Sequence, residues 1–179
     1  MKLRQIIDNL SGTVKVDGKT NLEITGIACD SKAVKPGYMF IALKGSKVNG
    51  ADFIDEAIER GAVAILLDSS DKGIFKKGDT FIYVKDARLS LAQASQAYFG
   101  DMSGKMRLLA VTGTNGKTTI TYLLESMFKS RNEDVGVIGT VNYRFGHRLI
   151  PAVNTTPSAI EIYSLLSSMY KDKINYCVM

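Results

Sequence analysis

The stretch Val111-Thr112-Gly113-Thr114-Asn115-Gly116-Lys117-Thr118-Thr119 decides how the region around it folds. Before it, Met106–Val111 suits a strand. After it, Ile120, Leu123, Leu124, Met127 and Phe128 recur at i, i+3, i+4, i+7 and i+8, the spacing of one helix face. A strand, a tight glycine loop and Lys-Thr at a helix start make a phosphate site. Glycine lets the backbone curl until successive N–H groups point inward. The helix N-terminus adds free donors and a partial positive charge. Gly113, Thr114, Asn115, Gly116, Lys117, Thr118 and Thr119 are therefore the candidate nucleotide-binding residues. Lys117 is the candidate catalytic group, able to reach the β- and γ-phosphates as a point charge, and Thr118 is placed to set its hydroxyl on Mg²⁺. The general pattern is G-x-x-x-x-G-K-[ST], but Val111 occupies the first glycine position, and Gly113 gives the shorter G-x-x-G-K-T. A plain glycine turn with an incidental lysine is the alternative, and the strand–loop–helix order weighs against it.

Working outward, Val135–Gly139 suits the next strand, and a hairpin is expected to turn near Gly146. A helix then carries Ile162, Leu165, Leu166, Met169 and Tyr170 on one face, and Ile174–Met179 looks like the opening of a buried strand. Toward the N-terminus, the polar, glycine-containing stretch Gly100–Lys105 is the expected linker. Before it come a short amphipathic helix (Leu3, Ile6, Ile7, Leu10), β-rich stretches at Leu22–Asp30 and Tyr38–Leu43, and a helix with Phe53, Ile54, Ala57 and Ile58 inward. Ala62–Leu67 is a continuous apolar run, as in a strand covered on both faces; Phe81–Val84 is another strand, and Leu89–Phe99 a helix. Strands alternating with helices predict an α/β fold in two domains, 1–102 and 103–179. The second is the start of a P-loop-type doubly wound ATPase domain. Such a sheet needs more strands than this segment supplies, so the chain is expected to be truncated.

Composition narrows the class. Of 179 residues, 45% are hydrophobic and 23% charged, the balance of an ordinary globular protein long enough to bury a core. No apolar run approaches the roughly 20 residues of a membrane helix, and the start, Met1–Asp8, lacks a secretory signal's apolar core. A cytoplasmic protein is expected, with no membrane partner. Lys and Arg exceed Asp and Glu by 23 to 18, but the basic residues are scattered, which argues against nucleic acid. Cys29 and Cys177 show no paired spacing, and the single histidine, His147, sits in a turn-like stretch, so neither a disulfide framework nor a His/Cys metal site is expected.

The loop Val111–Thr119 resembles the ATP loop of the Mur ligases and folylpolyglutamate synthetases, which carry the same shortened spacing. The stretch from Asp30 through Lys35-Pro36-Gly37 to Gly45, continuing over Asn49–Ile54, resembles the uridine-binding N-terminal domain of the Mur ligases that add the third residue or the terminal dipeptide to the peptidoglycan precursor. Asn154-Thr155-Thr156-Pro157, together with Thr114-Asn115, is similar to the branch that adds the third residue, forming the UDP-N-acetylmuramoyl-tripeptide. The likeness spans nearly the whole chain. It implies a small uridine-binding α/β domain, with Cys29, Ser31, Ser46, Lys47 and Val48 lining the uridine-nucleotide site and Asn154, Thr155 and Thr156 holding the muramoyl-peptide end. The family usually carries other residues at Cys29 and Ser46–Val48, which points to backbone contacts there.

The resemblance implies ATP-dependent amide-bond formation with Mg²⁺. The terminal carboxylate of UDP-N-acetylmuramoyl-L-alanyl-D-glutamate becomes an acyl phosphate, which the amine of a diamino acid, meso-diaminopimelate or L-lysine, attacks. The family's further metal ligands and amino-acid site come later in the polypeptide. This chain is therefore expected to be an N-terminal piece, inactive as a ligase alone. A generic nucleotide-binding module and the dipeptide-adding ligase stay open as alternatives. At Thr156-Pro157 the bland reading is a helix N-cap followed by proline at the first helical position, with Ser158 and Glu161 fitting a capping box.

Overall fold

The computed structural model describes residues 1–45, 48–71, 79–152 and 156–179. The chain divides into two compact units, Met1–Tyr98 and Phe99–Met179.

In the first unit, helix α1 (Leu3–Ile7) precedes strands β1 (Thr13–Asp17), β2 (Gly26–Ala28) and β3 (Tyr38–Ile41), helix α2 (Ile54–Glu59), strands β4 (Ala62–Asp68) and β5 (Thr80–Val84), and helix α3 (Ala87–Phe99). The sheet order is β1-β5-β4-β3-β2. β2, β3, β4 and β5 run parallel, and β1 closes one edge antiparallel to β5. β4 is the run expected to be covered on both faces: Ala64, Ile65, Leu66 and Leu67 are all at most 1% exposed. It packs in one core with Phe40, Ile54 and Ala57.

Strand β1 has no apolar signature in the sequence, and its exposure explains why. Thr13, Val14, Lys15 and Asp17 are exposed, so this edge strand lacks an inward apolar row. It is held by backbone pairing and by Thr80, whose hydroxyl accepts from the Lys19 N–H (3.0 Å) and donates to the Lys19 carbonyl (3.1 Å). The expected strand at Leu22–Asp30 is also shorter in fact, because Leu22 and Ile24 bond instead to Leu3 and Met1 beside α1.

The second unit contains β6 (Arg107–Leu109), helix α4 (Lys117–Ser130), β7 (Val135–Ile138), the hairpin β8 (Asn142–Phe145) and β9 (Arg148–Pro151), helix α5 (Ala159–Lys171) and β10 (Tyr176–Val178). The order is β6-β10-β7-β8-β9, with β6, β10 and β7 parallel and the hairpin antiparallel. Phe145 pairs with Arg148, leaving Gly146 (φ +52°) and His147 as the two-residue turn. Met169 of α5 packs directly over Gly136 of β7, within a core that includes Met102, Met106, Ile138, Leu165 and Cys177.

Helix α4 departs from expectation. Ile120, Leu123 and Met127 are 43%, 59% and 63% exposed, while Thr121 and Glu125 are buried. The helix is rotated so that only Leu124 and Phe128 of the predicted stripe are partly covered. Two contacts set that rotation. Phe128 packs on Tyr176 of β10 with ring centroids 4.7 Å apart. Arg144 of β8 donates to the Glu125 carboxylate at 2.6 and 2.8 Å while its guanidinium lies over the Tyr122 ring.

Candidate functional site

The loop between β6 and α4 has the geometry its glycines were read for. Gly113 (φ +151°) and Gly116 (φ +79°) are both in the left-handed half of backbone space, and Gly116 is the residue from which α4 starts. A Cβ at Gly116 would meet nothing within 4 Å, and at Gly113 only the Asn115 carbonyl at 3.5 Å. The concavity is therefore unfilled by protein. The helix's first backbone bond runs from the Ile120 N–H to the Gly116 carbonyl, 2.9 Å. The N–H groups of Lys117, Thr118 and Thr119 thus precede the first helical donor, have no intrahelical acceptor, and stand at the positive end of the helix. Thr114, Asn115 and Thr119 are exposed, and Lys117 is half-buried with its ammonium donating to the Gly113 carbonyl across the loop.

A cavity of about 240 Å³ opens beside Lys117 and Thr118. Its far wall brings in Thr140, just past β7, and Thr156-Pro157, just before α5; Val111, Ile138, Ile162 and Met179 supply the apolar lining. The residue types suit a nucleotide phosphate and a hard cation. Lys117 and the helix start offer positive charge, and Thr118 offers a hydroxyl oxygen. Among the described residues no group of three or more His, Cys, Asp or Glu side chains comes together. Thr118 would contribute one hydroxyl oxygen to a Mg²⁺ ion, which takes oxygen ligands and is commonly bound together with substrate phosphates.

Thr156 does not cap α5. The N-cap is Ser158, whose hydroxyl accepts from the Glu161 N–H (3.3 Å) while the Glu161 carboxylate accepts from the Ser158 N–H (2.7 Å). The helix starts two residues later instead, at the reciprocal Ser-x-x-Glu box. Thr156 is left on the cavity wall. Asn154 and Thr155 lie outside the described residues.

In the first unit, Cys29 and Ser31 follow the carboxyl end of β2, and Val48 lies in the loop after the neighbouring parallel strand β3. Both loops therefore leave the same edge of the sheet, the edge at which parallel α/β sheets bind ligands. Cys29 is half-buried and Val48 is 55% exposed; Ser46 and Lys47 lie outside the described residues. Ser31 is 5% exposed, and its hydroxyl donates to the Glu56 carboxylate of α2 at 2.7 Å. That bond, assisted by Arg60, holds the Glu56 carboxyl below the usual range against some loss of hydration.

Three residues at these sites escaped the sequence reading: Thr140, Glu56, and Arg88 of α3, whose guanidinium donates to the Lys44 carbonyl at the base of the β3 loop (3.1 Å). Only Thr140 left a trace in the sequence, as the polar residue after Gly139 at the end of an apolar strand. The cysteine in the second unit is inert, since burial pushes the Cys177 thiol up to about 12.

Comparison with known proteins covers both units. Residues 111–179 match the Mur ligase middle domain, and residues 23–99 match the Mur ligase family, catalytic domain. The UDP-N-acetylmuramoyl-L-alanyl-D-glutamate--2,6-diaminopimelate ligase of Caldanaerobacter subterraneus subsp. tengcongensis is 36% identical over 176 residues, spanning 98% of this chain and 36% of its own length. A solved structure of a UDP-N-acetylmuramoyl-L-alanyl-D-glutamate--2,6-diaminopimelate ligase superposes with a TM-score of 0.76 at 25% identity, covering 99% of this chain and 35% of the other. The MurF ligase of Thermotoga maritima, solved in complex with ADP, superposes with a TM-score of 0.57 at 26% identity, covering 85% of this chain and 30% of the other. The chain spans about a third of the length of the curated relatives it matches.

Proposed function

The chain belongs to the Mur ligase family, and from that premise we propose that it carries the ATP-loop and uridine-nucleotide regions of an ATP-dependent ligase. The reaction is the joining of 2,6-diaminopimelate to UDP-N-acetylmuramoyl-L-alanyl-D-glutamate in the cytoplasm, during peptidoglycan synthesis. The observation that carries this reading is one cavity walled by the Lys117-Thr118 end of the loop on one side and by Thr156 on the other. A phosphate donor and the carboxylate that receives the phosphoryl group need such a shared space.

ATP supplies the phosphoryl group that converts the D-glutamyl carboxylate into an acyl phosphate, from which the incoming amine displaces phosphate to form the amide. The chain's own part is positioning and charge neutralisation. The loop N–H groups and Lys117 hold the phosphate oxygens, and the Thr118 hydroxyl would help hold a Mg²⁺ ion, which would neutralise phosphate charge. Thr156, with Asn154 and Thr155 beside it in sequence, holds the muramoyl-peptide end. Cys29, Ser31 and the Ser46–Val48 loop receive the uridine nucleotide. The Ser31 hydroxyl already donates to Glu56, so its free lone pairs and the backbone nearby are what it offers a ligand. The choice of 2,6-diaminopimelate rather than lysine is supported by the names of the relatives.

Calorimetric titration with ADP and, separately, with UDP-N-acetylmuramoyl-L-alanyl-D-glutamate tests the reading. Both ligands are expected to bind. Lys117→Ala should weaken ADP at least about tenfold, as loss of a charge-assisted contact does, and leave the UDP-linked ligand unchanged. ADP binding with no measurable binding of the UDP-linked dipeptide would reduce the chain to a generic nucleotide module.

A further inference from the structure

We propose that Thr140 is a positioning residue that aims the Thr118 hydroxyl at a divalent cation. The proposal rests on the nucleotide reading of the loop. A hydroxyl has one proton and two lone pairs, and a hydroxyl that ligates a hard cation must turn a lone pair toward it. Its proton then needs an acceptor pointing another way. Thr118 Oγ1 lies 3.2 Å from Thr140 Oγ1, and either can donate. When Thr118 donates, both of its lone pairs stay available to the cavity that the two threonines share with Lys117.

The surroundings make Thr140 a fixed acceptor. It sits in the turn from β7 to β8, which the Gly139 N–H closes onto the Asn142 carbonyl at 3.2 Å. The next residue, Val141, accepts from the Ala152 N–H at 3.2 Å, tying the turn to the far end of β9. Thr118 is equally constrained, because its backbone carbonyl accepts the Thr121 hydroxyl at 2.7 Å. That bond gives Thr121, another hydroxyl lining the cavity, an acceptor of its own. The pairing thus joins two elements of one unit, the start of the loop's helix and the end of the neighbouring strand β7. At 3.2 Å the contact is long for a hydroxyl pair, so its effect is a matter of a few-fold.

The test is equilibrium binding of ADP, by calorimetry, to the wild-type chain and to T140V, T140A and T140S, each measured with Mg²⁺ and with the metal chelated. The wild type should bind more tightly when Mg²⁺ is present. T140V and T140A should lose roughly three- to tenfold of that Mg²⁺-dependent gain, with binding in chelator unchanged, and T140S should restore it. Thr140 is exposed, so the variants should unfold at the wild-type temperature. An undiminished Mg²⁺ gain in T140V and T140A, or an equal loss with and without the metal, overturns the role given to Thr140. Failure of the wild type itself to bind ADP overturns the nucleotide reading, and it is recognised by appearing before any substitution is made.

Discussion

In the first unit, Gly61 (φ +97°) has the Cα of Pro36 only 2.8 Å from where a Cβ would stand; in the loop of the second, Gly116 (φ +79°) has nothing within 4 Å of that position. Both residues need glycine for backbone reasons, but only one is also hemmed in. The same contrast runs through the layers around them. Met39, Ile41, Leu66 and Leu67 are fully buried in the first sheet, whereas Ile120, Leu123 and Met127 of α4 lie in solvent. Left-handed glycine in a packed turn serves the fold. Left-handed glycine facing open space, beside a lysine and a helix start, leaves room for something that is not protein.

The contrast is broken most directly by trimming one leucine from each region. Leu66→Ala removes a side chain with no exposed surface and should cost about 2–5 kcal/mol. Leu123→Ala, at a position 59% exposed, should stay within about 0.5 kcal/mol. Urea unfolding followed by circular dichroism measures both. A large loss at Leu123 would mean that its face of α4 is covered in solution.

The glycines sharpen the same comparison at a smaller scale. Gly61→Ala meets both backbone strain and the Pro36 backbone, and should cost about 2–3 kcal/mol. Gly116→Ala meets strain alone, so about 1 kcal/mol is expected. Thermal melts of the two variants rank them, and equal losses would show that crowding at Gly61 is relieved by a small shift of Pro36.

Much of this could be read from the sequence because the relevant signals are local. The apolar run of β4, the strand–loop–helix order around Gly113–Thr119, the Gly146 turn and the Ser158–Glu161 box each declare themselves within a few neighbouring residues. What stayed hidden depends on partners distant in sequence. β1 exists through its pairing with β5, some 65 residues on, and not through any apolar face of its own. The facing of α4 follows from Arg144 and Tyr176, neither visible from the helix's own periodicity. Thr140 matters only because the sheet brings the end of β7 beside the start of α4.

The one expected effect that depends on pH concerns Glu125, the charged group that α4 turns inward where an apolar side chain was expected. It is 8% exposed. Burial disfavours its charge, but hydrogen bonds from Arg144 and Lys129 outweigh that and hold the carboxyl below its ordinary value of 4.5. A carboxyl with a depressed folded value adds stability above its unfolded value and loses it as the pH falls through the folded one. Stability should therefore begin to drop near pH 4.5 and continue to drop below it, more steeply in the wild type than in Glu125→Gln. Near neutral pH the Gln variant should be about 1–2 kcal/mol less stable, since Arg144, itself largely buried, loses its anionic partner. Denaturant melts at a series of pH values read both quantities. Parallel pH profiles for the two proteins would remove the Arg144–Glu125 pair as the reason that α4 presents a polar face to its sheet and an apolar one to solvent.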